Sequence, residues 1–592
     1  MKRTLGRLPG ALLVVLLAIV SYPGADLVAL LTRLAPRPAA SLNVPGGALE
    51  WLHVEHPHGG TPFIADPDGR RVELRGTVAA GLVDYWSGTS DVNSEPPPFF
   101  PIGPSGYAGG ACPANSLTIR VPPLCQSDIA EMRALGFNVV RLALSWSLLE
   151  PQPGQYSTDY LDRIAQVVGW ARDEGIYTIL DMHENAYSRY IPRPARVTLP
   201  GGKLPSLFDQ TGAPKWATVT DGLPGDKFLN QREISPSVGA AFTNFWLNTK
   251  VAGEGLQDHY LGAVATLARR FREESAVVGY GAFNEPWPGF VPPPLSDDLL
   301  IYPFYRRLID GITGVADGAR CPSGFPALPI CGHSSLGVGD RRHIFFLEAD
   351  HLREVTDFPT ALGLPVSSYP NLAFAIHPYT HKYTIDALAG QDPKTAGYPF
   401  GGYDQAYGTA EAEARSMDAA LFVSEFGNEP ALDGLLLTNE LKEQDSHLTG
   451  STYWPWKENC GGSTWGVYAG PLGNVDTPCA NQKLTLQATA PQPENGCLRK
   501  SKERLLARPT VIAAVGTGLK YGYDPATGAF SLSATAATGN QLATRVLVPK
   551  AVAGTISQPS SPLPDGSRVV SFVPLGGYTL TIAAAPLHLA GC

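Results

Sequence analysis

Charged residues are scarce in this sequence, since Asp, Glu, Lys and Arg together make up only 17% of the 592 residues. The formal net charge is −9, and no long basic run follows residue 7. Proteins that bind phosphate backbones cluster Lys and Arg side chains, so nucleic acid is not expected as a partner. The hydrophobic content of 44% is that of an ordinary globular protein and excludes a disordered or fibrous chain.

An apolar run long enough to cross a bilayer comfortably is also missing near the N-terminus. The run from Ala11 to Val20 is short, whereas a spanning helix needs about 20 apolar residues. Lys2, Arg3 and Arg7 precede the run and small residues follow it, which is typical of an export signal. We expect residues 1–40 to hold a signal peptide and the protein to be secreted. An uncleaved anchor to the cell envelope and a buried N-terminal helix are the alternatives.

No pair of the eight cysteines has the CxxC spacing of a structural zinc site or a redox dithiol. Disulfide bonds formed in an oxidising compartment are therefore the favoured interpretation. Eight cysteines can pair in many ways, so the full connectivity does not follow from the sequence. The short loop closures Cys112–Cys125 and Cys321–Cys331 are the pairs that we expect.

Short apolar runs alternate with longer amphipathic segments from residue 62 to about residue 505, which is typical of a parallel α/β architecture. Helical periodicity occurs, for example, over Tyr160–Glu174 and Tyr260–Glu274. Eight strand–helix units over this length predict a (β/α)8 TIM barrel with long insertions. The predicted strands are Val72–Gly76, Asn138–Leu142, Tyr177–Asp181, Val278–Phe283, His343–Leu347, Leu372–Ile376, Ala420–Ser424 and Gly450–Trp454.

Two long segments, residues 86–125 and 190–250, are rich in Gly, Pro and aromatic residues and show little periodicity. Such loops are usually lids or substrate walls, with plain surface elaboration as the alternative. Beyond residue 505 the apolar runs become short and alternating, and turn signals separate them. We therefore predict a catalytic domain over residues 41–505 and a C-terminal β-sandwich over residues 506–592, with a sugar-binding or a structural role. The alternating runs include Arg545–Pro549, Arg568–Val573 and Tyr578–Ile582.

Polar side chains occur where the predicted strands end, and in a TIM barrel these positions form the active face. In chain order they are Arg141, Asp181, His183, Glu184, Asn284, Glu285, His377, Tyr379, Glu425 and Trp454. Such a set of carboxyl, imidazole, amide and aromatic groups points to a catalytic or sugar-binding site.

Hydrolysis of a glycosidic bond needs two carboxyl groups that flank the bond, one protonated and one ionised. Glu285 and Glu425 follow or end different inner strands, so a retaining pair about 5 Å apart is feasible. Tyr379 could hydrogen-bond Glu425, and Arg141 could hold that carboxylate ionised by its charge. Asn284 is suited to bind the sugar 2-hydroxyl beside the reacting carbon.

Strings at these positions resemble glycoside hydrolase family 5. They are Asn284-Glu285-Pro286, Arg141 within Asn-Val-Val-Arg-Leu, Asp181-Met-His183, His377-Pro-Tyr379 and Ser424-Glu425-Phe-Gly427. Longer strings are similar to endoglycoceramidases and related lipid-glycosidases, namely those that begin at Phe63, at Asp181 and at Tyr453. The resemblance covers about residues 62–590, including the C-terminal β domain.

This resemblance implies that Glu285 is the acid/base and Glu425 the nucleophile of a retaining mechanism. It also implies an inner shell around the substrate that consists of Arg141, His183, Asn284, His377, Tyr379 and Trp454. Two departures fall where the first sugar is held. The family often has Gly-Val-Asn after the first strand, whereas this chain has Gly76-Thr77-Val78. The glycoceramidase branch tends to carry Gln-Asp after the third-strand histidine, whereas here Glu184-Asn185 follows, which leaves the sugar identity open.

Several positions have competing interpretations. The tripeptide Asn-Glu-Pro recurs at residues 428–430, but Glu429 falls in a predicted loop, whereas Glu285 directly follows a strand. Glu348 and Glu429 are rivals of Glu425, which alone ends the predicted seventh strand.

Trp454 and Trp456 would share one strand face if the last strand continued, and Pro455 favours Trp454 by ending it. The inner shell also has structural alternatives, which are a buried ion pair for Arg141 and hydrogen-bonded core histidines for His183 and His377.

The sequence as a whole predicts a secreted, monomeric retaining β-glycosidase for a glycolipid or another sugar on an apolar aglycone, with membrane contact only through a lipid substrate. Pro378 argues against a helix through His377 and His381, so their spacing does not predict a metal site. No cofactor is required by this chemistry.

The apolar, Pro-rich segments 86–125 and 286–305 favour a lipid aglycone over the alternative of a polysaccharide endoglycanase. The second alternative is a non-catalytic carbohydrate-binding protein, and the intact carboxylate pair argues against it.

Overall fold

The computed structural model describes residues 49–84, 101–113, 123–191, 211–225, 235–291, 295–315, 335–360, 368–379, 403–428, 430–458, 465–469 and 497–591. All of them fall within the single unit Asn43–Cys592. The cysteine pair Cys112–Cys125 is bonded, as expected, whereas Cys321 and Cys331 lie outside the described residues.

Eight parallel strands close into a barrel in which each strand pairs with its sequence neighbours and the last pairs with the first. In chain order they are β1 (Arg75–Ala79), β2 (Val139–Leu144), β3 (Tyr177–Met182), β4 (Val277–Gly281), β5 (Ile344–Glu348), β6 (Leu372–Ile376), β7 (Ala420–Phe426) and β8 (Gly450–Tyr453). Every residue of these strands is buried. Apolar strands covered on both faces are what a parallel sheet requires, so the predicted (β/α)8 barrel is confirmed.

The first strand lies three residues later than predicted. Val72 donates its N–H to Ile64 O at 2.9 Å, and Glu73 donates its N–H to Val511 O at 2.9 Å. The apolar residues before Arg75 are therefore buried outside the barrel, between the hairpin of strands His53–Glu55 and Phe63–Ala65 and the C-terminal sheet that contains Val511. An apolar run has the same sequence pattern whether it is buried in the barrel or between the barrel and other strands, which explains why the first strand was predicted too early. The other strand bounds differ from the predictions by two residues or fewer, and Leu372–Ile376 matches.

Helices surround the barrel and cover its strands. They are α1 (Gln126–Ala134), α2 (Thr158–Asp173), α3 (Pro236–Trp246), α4 (Leu256–Phe271), α5 (Tyr302–Thr313), α6 (His351–Thr356), α7 (Tyr403–Ser416), α8 (Thr438–Ser446) and α9 (Lys500–Leu506). The Ser157 hydroxyl caps α2 by accepting the Tyr160 N–H at 3.2 Å. Short helical turns occupy Pro104–Gly110, Trp146–Leu149, Lys215–Ala217, Asp297–Ile301, Pro430–Leu432 and Asp433–Leu437.

The predicted loop 190–250 contains helix α3, which the sequence did not predict. Val238, Phe242, Phe245 and Trp246 recur at helical spacing and are buried. The helix has only 11 residues and lies in a segment rich in Gly and Pro, so its period was not recognised. Of the predicted loop 86–125, only residues 101–113 and 123–125 are described.

Two antiparallel sheets follow α9 and form the predicted C-terminal β-sandwich. The strands are β9 (Thr510–Ala513), β10 (Thr517–Tyr523), β11 (Phe530–Thr535), β12 (Thr544–Val548), β13 (Ser560–Pro562), β14 (Arg568–Phe572) and β15 (Gly577–Ile582). One sheet has the order β9-β12-β14-β13 and the other has the order β10-β11-β15. Inward residues of both sheets, such as Leu532, Val546 and Leu580, share a core of their own. Two three-residue strands, His53–Glu55 and Phe63–Ala65, and several two-residue strands complete the described secondary structure.

Candidate active site

The predicted catalytic pair meets at the C-terminal mouth of the barrel. Glu425 lies near the end of β7, and Glu285 follows the end of β4. One carboxylate oxygen of each residue and a ring nitrogen of His377 all lie within 4.8 Å of one another. Retaining glycosidases hold their two carboxyl groups about 5 Å apart, and inverting ones hold them farther apart. The two carboxylates are therefore close enough for a retaining pair.

Glu425 is held by two donors. Arg141 Nη1 contacts its Oε2 at 3.0 Å, and the Tyr379 hydroxyl donates to its Oε1 at 3.0 Å. Burial and the Glu285 charge raise the pKa of Glu425 above its usual value, although the charges of His377 and Arg141 act in the opposite direction. Both oxygens thus have a partner that favours the ionised form, which a nucleophile needs.

Arg141 is the centre of a buried charge network. Its Nη2 contacts Asn284 Oδ1 at 2.7 Å, Glu348 Oε1 at 2.9 Å and Asp181 Oδ1 at 3.0 Å. Burial acts to lower the pKa of Arg141, but the carboxylates outweigh burial and raise it. Arg141 was predicted either to contact the nucleophile or to form a buried structural ion pair. It does both, because it forms a buried ion network and also touches Glu425.

Glu285 lies between two imidazoles. Its Oε1 contacts His377 Nδ1 at 2.8 Å, and its Oε2 contacts His351 Nδ1 at 3.2 Å. Burial raises the pKa of Glu285, but the charges of His351 and His377 outweigh burial and hold it well below its usual range. Unlike Glu425, this carboxyl has neighbours that can themselves take up or release a proton.

The backbone of Glu285 is constrained as well. Its φ of 44° lies in the left-handed region, which costs a residue with a side chain roughly 1–2 kcal/mol. Its N–H donates to Glu348 Oε2 at 2.7 Å, which holds the residue in this conformation. Glu348 also contacts Arg141, so this strand-end carboxylate, a rival candidate for the nucleophile, instead positions both groups of the pair.

Asp181, His183 and Trp454 form one wall of the site. His183 Nδ1 contacts Asp181 Oδ2 at 2.9 Å, and the His183 ring stacks on Trp454 with centroids 5.3 Å apart and planes 2° apart. A Cβ at Gly281 would collide with the Asp181 carboxylate, so β4 needs glycine at that position. Trp454 is half-buried, which leaves part of its ring accessible.

Trp456 is buried, and its Nε1 donates to Asp128 Oδ1 at 3.0 Å, away from the carboxylate pair. Of the two tryptophans, Trp454 therefore belongs to the site.

Asn284 Oδ1 accepts from Arg141, and one Nδ2 hydrogen goes to Glu184 O at 2.7 Å. The second Nδ2 hydrogen is left for a ligand hydroxyl.

Two residues of the site were not singled out in the sequence, His351 and Glu354. Both lie on α6, directly after the end of β5. Applying the strand-end rule to β5 beyond Glu348 would have found them. The side chains of Glu285, His351 and Glu354 could together hold a cation. They already contact one another, and glycoside hydrolysis needs no metal. Glu429 and His381 lie outside the described residues.

Comparisons with known proteins agree with this geometry. Residues 121–290 match the family model described as Cellulase (glycosyl hydrolase family 5). Endoglycoceramidase I of Rhodococcus hoagii is 24% identical over 345 residues, which are 56% of this chain and 60% of the relative. Endoglycoceramidase of Cyanea nozakii is 28% identical over 233 residues, or 37% of this chain and 41% of the relative. The matched region therefore spans 60% or less of these relatives.

Solved structures give a longer match. A crystal structure of endogalactoceramidase is 27% identical, with a TM-score of 0.60 over 90% of this chain and 100% of that chain. The lactosyl-enzyme intermediate of endo-glycoceramidase II from Rhodococcus sp. has a TM-score of 0.58 over 88% of this chain and 99% of that chain; at 22% identity it shows the fold alone. The predicted resemblance to family 5 and its endoglycoceramidase-like branch is confirmed, and a glycoside hydrolase is indicated.

Proposed function

We propose that this chain is a secreted, retaining β-glycosidase that cleaves the bond between a glycan and a lipid aglycone. The observation that carries the proposal is the pair Glu285 and Glu425, whose carboxylate oxygens lie within 4.8 Å of each other in different surroundings. Arg141 and Tyr379 favour an ionised Glu425, which suits a nucleophile. The imidazoles beside Glu285 suit a group that gives and takes a proton.

The reaction proceeds by two displacements. In the first, a neighbouring imidazolium passes a proton to Glu285, Glu425 attacks the anomeric carbon, and Glu285 gives that proton to the leaving oxygen, so the glycosidic bond breaks and a glycosyl ester forms. In the second, Glu285 takes a proton from water, the water oxygen attacks the same carbon, and Glu425 leaves. Glu285 then returns the proton to the imidazole, so each cycle restores the starting charges. Trp454 and His183 offer the sugar a flat wall, and the amide of Asn284 is available to the 2-hydroxyl.

The preference for a lipid rests on the side of the site where the aglycone leaves. In the proposed mechanism Glu285 faces the leaving oxygen, so we place the aglycone beside the chain segment that follows Glu285. Phe290, in the loop after Glu285, and Leu295, at the start of the next helical segment, are 58% and 53% exposed, and Phe358 beyond α6 is 58% exposed. Such side chains would offer a lipid aglycone apolar surface to contact. The relatives named endoglycoceramidase support the same substrate class.

Export is the remaining part of the proposal. The basic start and short apolar run before residue 21 support it, as does the Cys112–Cys125 disulfide, which needs an oxidising compartment. Within the ranges that the structure describes, no helix is both long and apolar enough to cross a bilayer.

The test is product analysis by mass spectrometry on a mixed panel of glycosphingolipids, alkyl glycosides and β-glucans. We expect intact glycan and free lipid from the first class. Phe290→Ser should lower turnover of glycolipids but not of short aryl glycosides, whereas Leu575→Ser, at a 76% exposed site of the C-terminal domain, should lower neither. Products from β-glucans alone would favour the polysaccharide endoglycanase. No turnover of any substrate by folded protein would favour a carbohydrate-binding protein.

A further inference from the structure

We propose that Glu354 is a positioning residue that shares one exchangeable proton with Glu285 through His351 and His377. The inference rests on the proposed function, since it assumes that Glu285 is the acid/base. Glu354 is not among the residues that would touch substrate, and it acts through the two imidazoles.

The geometry places the two carboxylates around the same two nitrogen atoms. His351 Nδ1 lies 3.2 Å from Glu285 Oε2 and 3.1 Å from Glu354 Oε2. His377 Nδ1 lies 2.8 Å from Glu285 Oε1 and 3.6 Å from Glu354 Oε1. The four side chains therefore form a closed ring of alternating carboxylates and imidazoles. Its longest contact joins His377 to Glu354, so the shortest path for a proton between Glu285 and Glu354 runs through His351.

The fold ties both ends of this ring together. The Asp350 carboxylate caps α6 by accepting the Leu352 N–H at 2.9 Å, and the His351 N–H donates to Pro286 O at 3.1 Å. The helix that carries His351 and Glu354 is thus bonded to the loop that carries Glu285. Glu354 is buried, with 2% of its surface exposed. A buried carboxyl at a fixed distance from the acid/base influences it strongly, because little water screens the charge.

Two carboxylates that share a site cannot both ionise at low cost, so they titrate as a pair with one pKa raised. The other charged groups that face Glu354 among the described residues are Glu348, grouped with it and His377, and the neighbouring Arg353, which is paired with Glu413 at 2.7 Å. Burial raises the pKa of Glu354 well above its usual range, and the Glu285 charge raises it further. The pair therefore retains a proton at a pH at which a lone Glu285 beside two imidazolium groups would have lost it.

The sign of the expected effects follows from these charges. The basic limb of the kcat/KM profile marks loss of the last proton from the pair. Glu354→Gln removes the repelling charge and leaves the imidazoles, so the pKa of Glu285 falls and the basic limb moves to lower pH. His351→Gln removes a positive neighbour, so the pKa of Glu285 rises and the limb moves to higher pH.

The experiment compares pH profiles of kcat/KM for the full chain on an alkyl β-glycoside, a poor leaving group, and on a dinitrophenyl β-glycoside, a good one. For the alkyl substrate we expect the basic limb of Glu354→Gln to shift down by about one pH unit or more, which is roughly tenfold less activity on that limb. The dinitrophenyl substrate, which needs little acid assistance, should keep its rate within about twofold, and KM should hardly change.

The matched control is Glu150→Gln. Glu150 is also buried and contacts a histidine, His259, at 3.1 Å, but it does not contact the Glu285 ring. Its profile should coincide with the wild-type profile. Opposite shifts in Glu354→Gln and His351→Gln, with none in the control, support the inference.

An unshifted or upward-shifted profile for Glu354→Gln overturns the inference while leaving the proposed function in place, provided that the wild type turns over both substrates. If circular dichroism shows that Glu354→Gln does not fold, His351→Gln decides: an upward shift supports the shared proton, and no shift overturns it. A folded wild type that hydrolyses no glycoside overturns the proposed function and the inference with it.

Discussion

The two carboxylates of the site have opposite kinds of neighbour. Glu425 is contacted by Arg141, whose charge is permanent, and by the neutral phenol of Tyr379. Glu285 is contacted by two imidazoles, whose charges depend on pH. A permanent cation keeps a carboxylate ionised throughout the reaction, whereas titratable partners let a proton arrive and leave. The surroundings, rather than the carboxyl groups themselves, distinguish nucleophile from acid/base.

The backbone reinforces this difference. Glu425 lies within barrel strand β7, at a place where the pairing of β7 with β8 shifts register between Val423 and Phe426. Glu285 lies in a loop with a φ of 44°, held by the contact of its N–H with Glu348. The nucleophile is thus fixed by the sheet, and the acid/base by a constrained loop bonded to α6. The following predictions test this contrast, from the largest expected effect to the smallest.

Replacing the nucleophile should have the largest effect. Glu425→Gln keeps the volume of the side chain but cannot form the glycosyl ester, so turnover should fall by on the order of 10⁴-fold or more. A 2-fluoro sugar with a good leaving group should label the wild type at Glu425 and leave the variant unlabelled. Peptide mapping by mass spectrometry checks both statements, and label on Glu348 or Glu429 would reassign the nucleophile.

Replacing the acid/base should have a large effect that depends on the substrate. For poor leaving groups, Glu285→Ala should slow the reaction roughly 10²- to 10⁴-fold, whereas activated aryl glycosides should lose much less. Added azide should enter the vacated space and yield a β-glycosyl azide, which nuclear magnetic resonance of the product identifies. An α-azide would contradict retention. The control is Glu429→Gln, at the second Asn-Glu-Pro tripeptide, which should retain most activity.

Weakening the support of the nucleophile should have a moderate effect. Tyr379→Phe removes a hydrogen bond to the charged form of Glu425, which is worth about 1.5–3 kcal/mol or roughly ten- to a hundredfold in kcat/KM. Because that bond favours the ionised form, its loss raises the pKa of Glu425. The acidic limb of the kcat/KM profile should therefore move to higher pH while the basic limb stays in place. Movement of the basic limb instead would place Tyr379 with the acid/base.

The smallest expected effect is on the stability of the folded protein, and it concerns Asp297, which interacts with Asp350 at the N-terminus of α6. Burial and the neighbouring Asp350 raise the pKa of Asp297 to about 8. The native state then binds more protons than the unfolded state between about pH 4 and 8, so wild-type stability falls as pH rises through this window. Asp297→Asn should remove this loss.

Denaturant unfolding at pH 5 and pH 8.5 checks the prediction. Asp297→Asn should gain stability relative to the wild type at the higher pH, by several kcal/mol at most. Asp298→Asn, at the half-buried neighbouring residue, is the control and should gain less. Parallel pH profiles for the wild type and Asp297→Asn would show that Asp297 is already ionised in the folded protein.

Much of the barrel could be predicted because each strand is a short apolar run between turn signals, and both of its faces are buried. The exceptions have specific reasons. The residues before Arg75 are as apolar as a barrel strand but pair with Ile64 and Val511, which are distant in the chain. Helix α3 has the helical period, but it is short and lies in a segment rich in Gly and Pro, whose composition is typical of a loop.

In the candidate site, too, some residues could be predicted from the sequence and others could not. The strand-end rule brought Glu285, His377 and Glu425 to one mouth, and the structure places them together. The rule does not say which strand-end carboxylates touch. Glu348 was therefore weighed as a nucleophile, although it contacts Arg141 and the Glu285 N–H. His351 and Glu354 were overlooked because their role depends on a contact between two loops.

The order of apolar runs and the residues at their ends follow from the sequence alone, because backbone periodicity and strand-end chemistry are local properties. They predicted the barrel, the C-terminal sheets and a candidate carboxylate pair, which the structure brings together. Only the tertiary structure decided the partners of each carboxylate, since His351 and His377 reach Glu285 from different strand ends. Charge and proton affinity depend on distances of a few ångströms across the barrel mouth, and no local pattern in the chain encodes those distances.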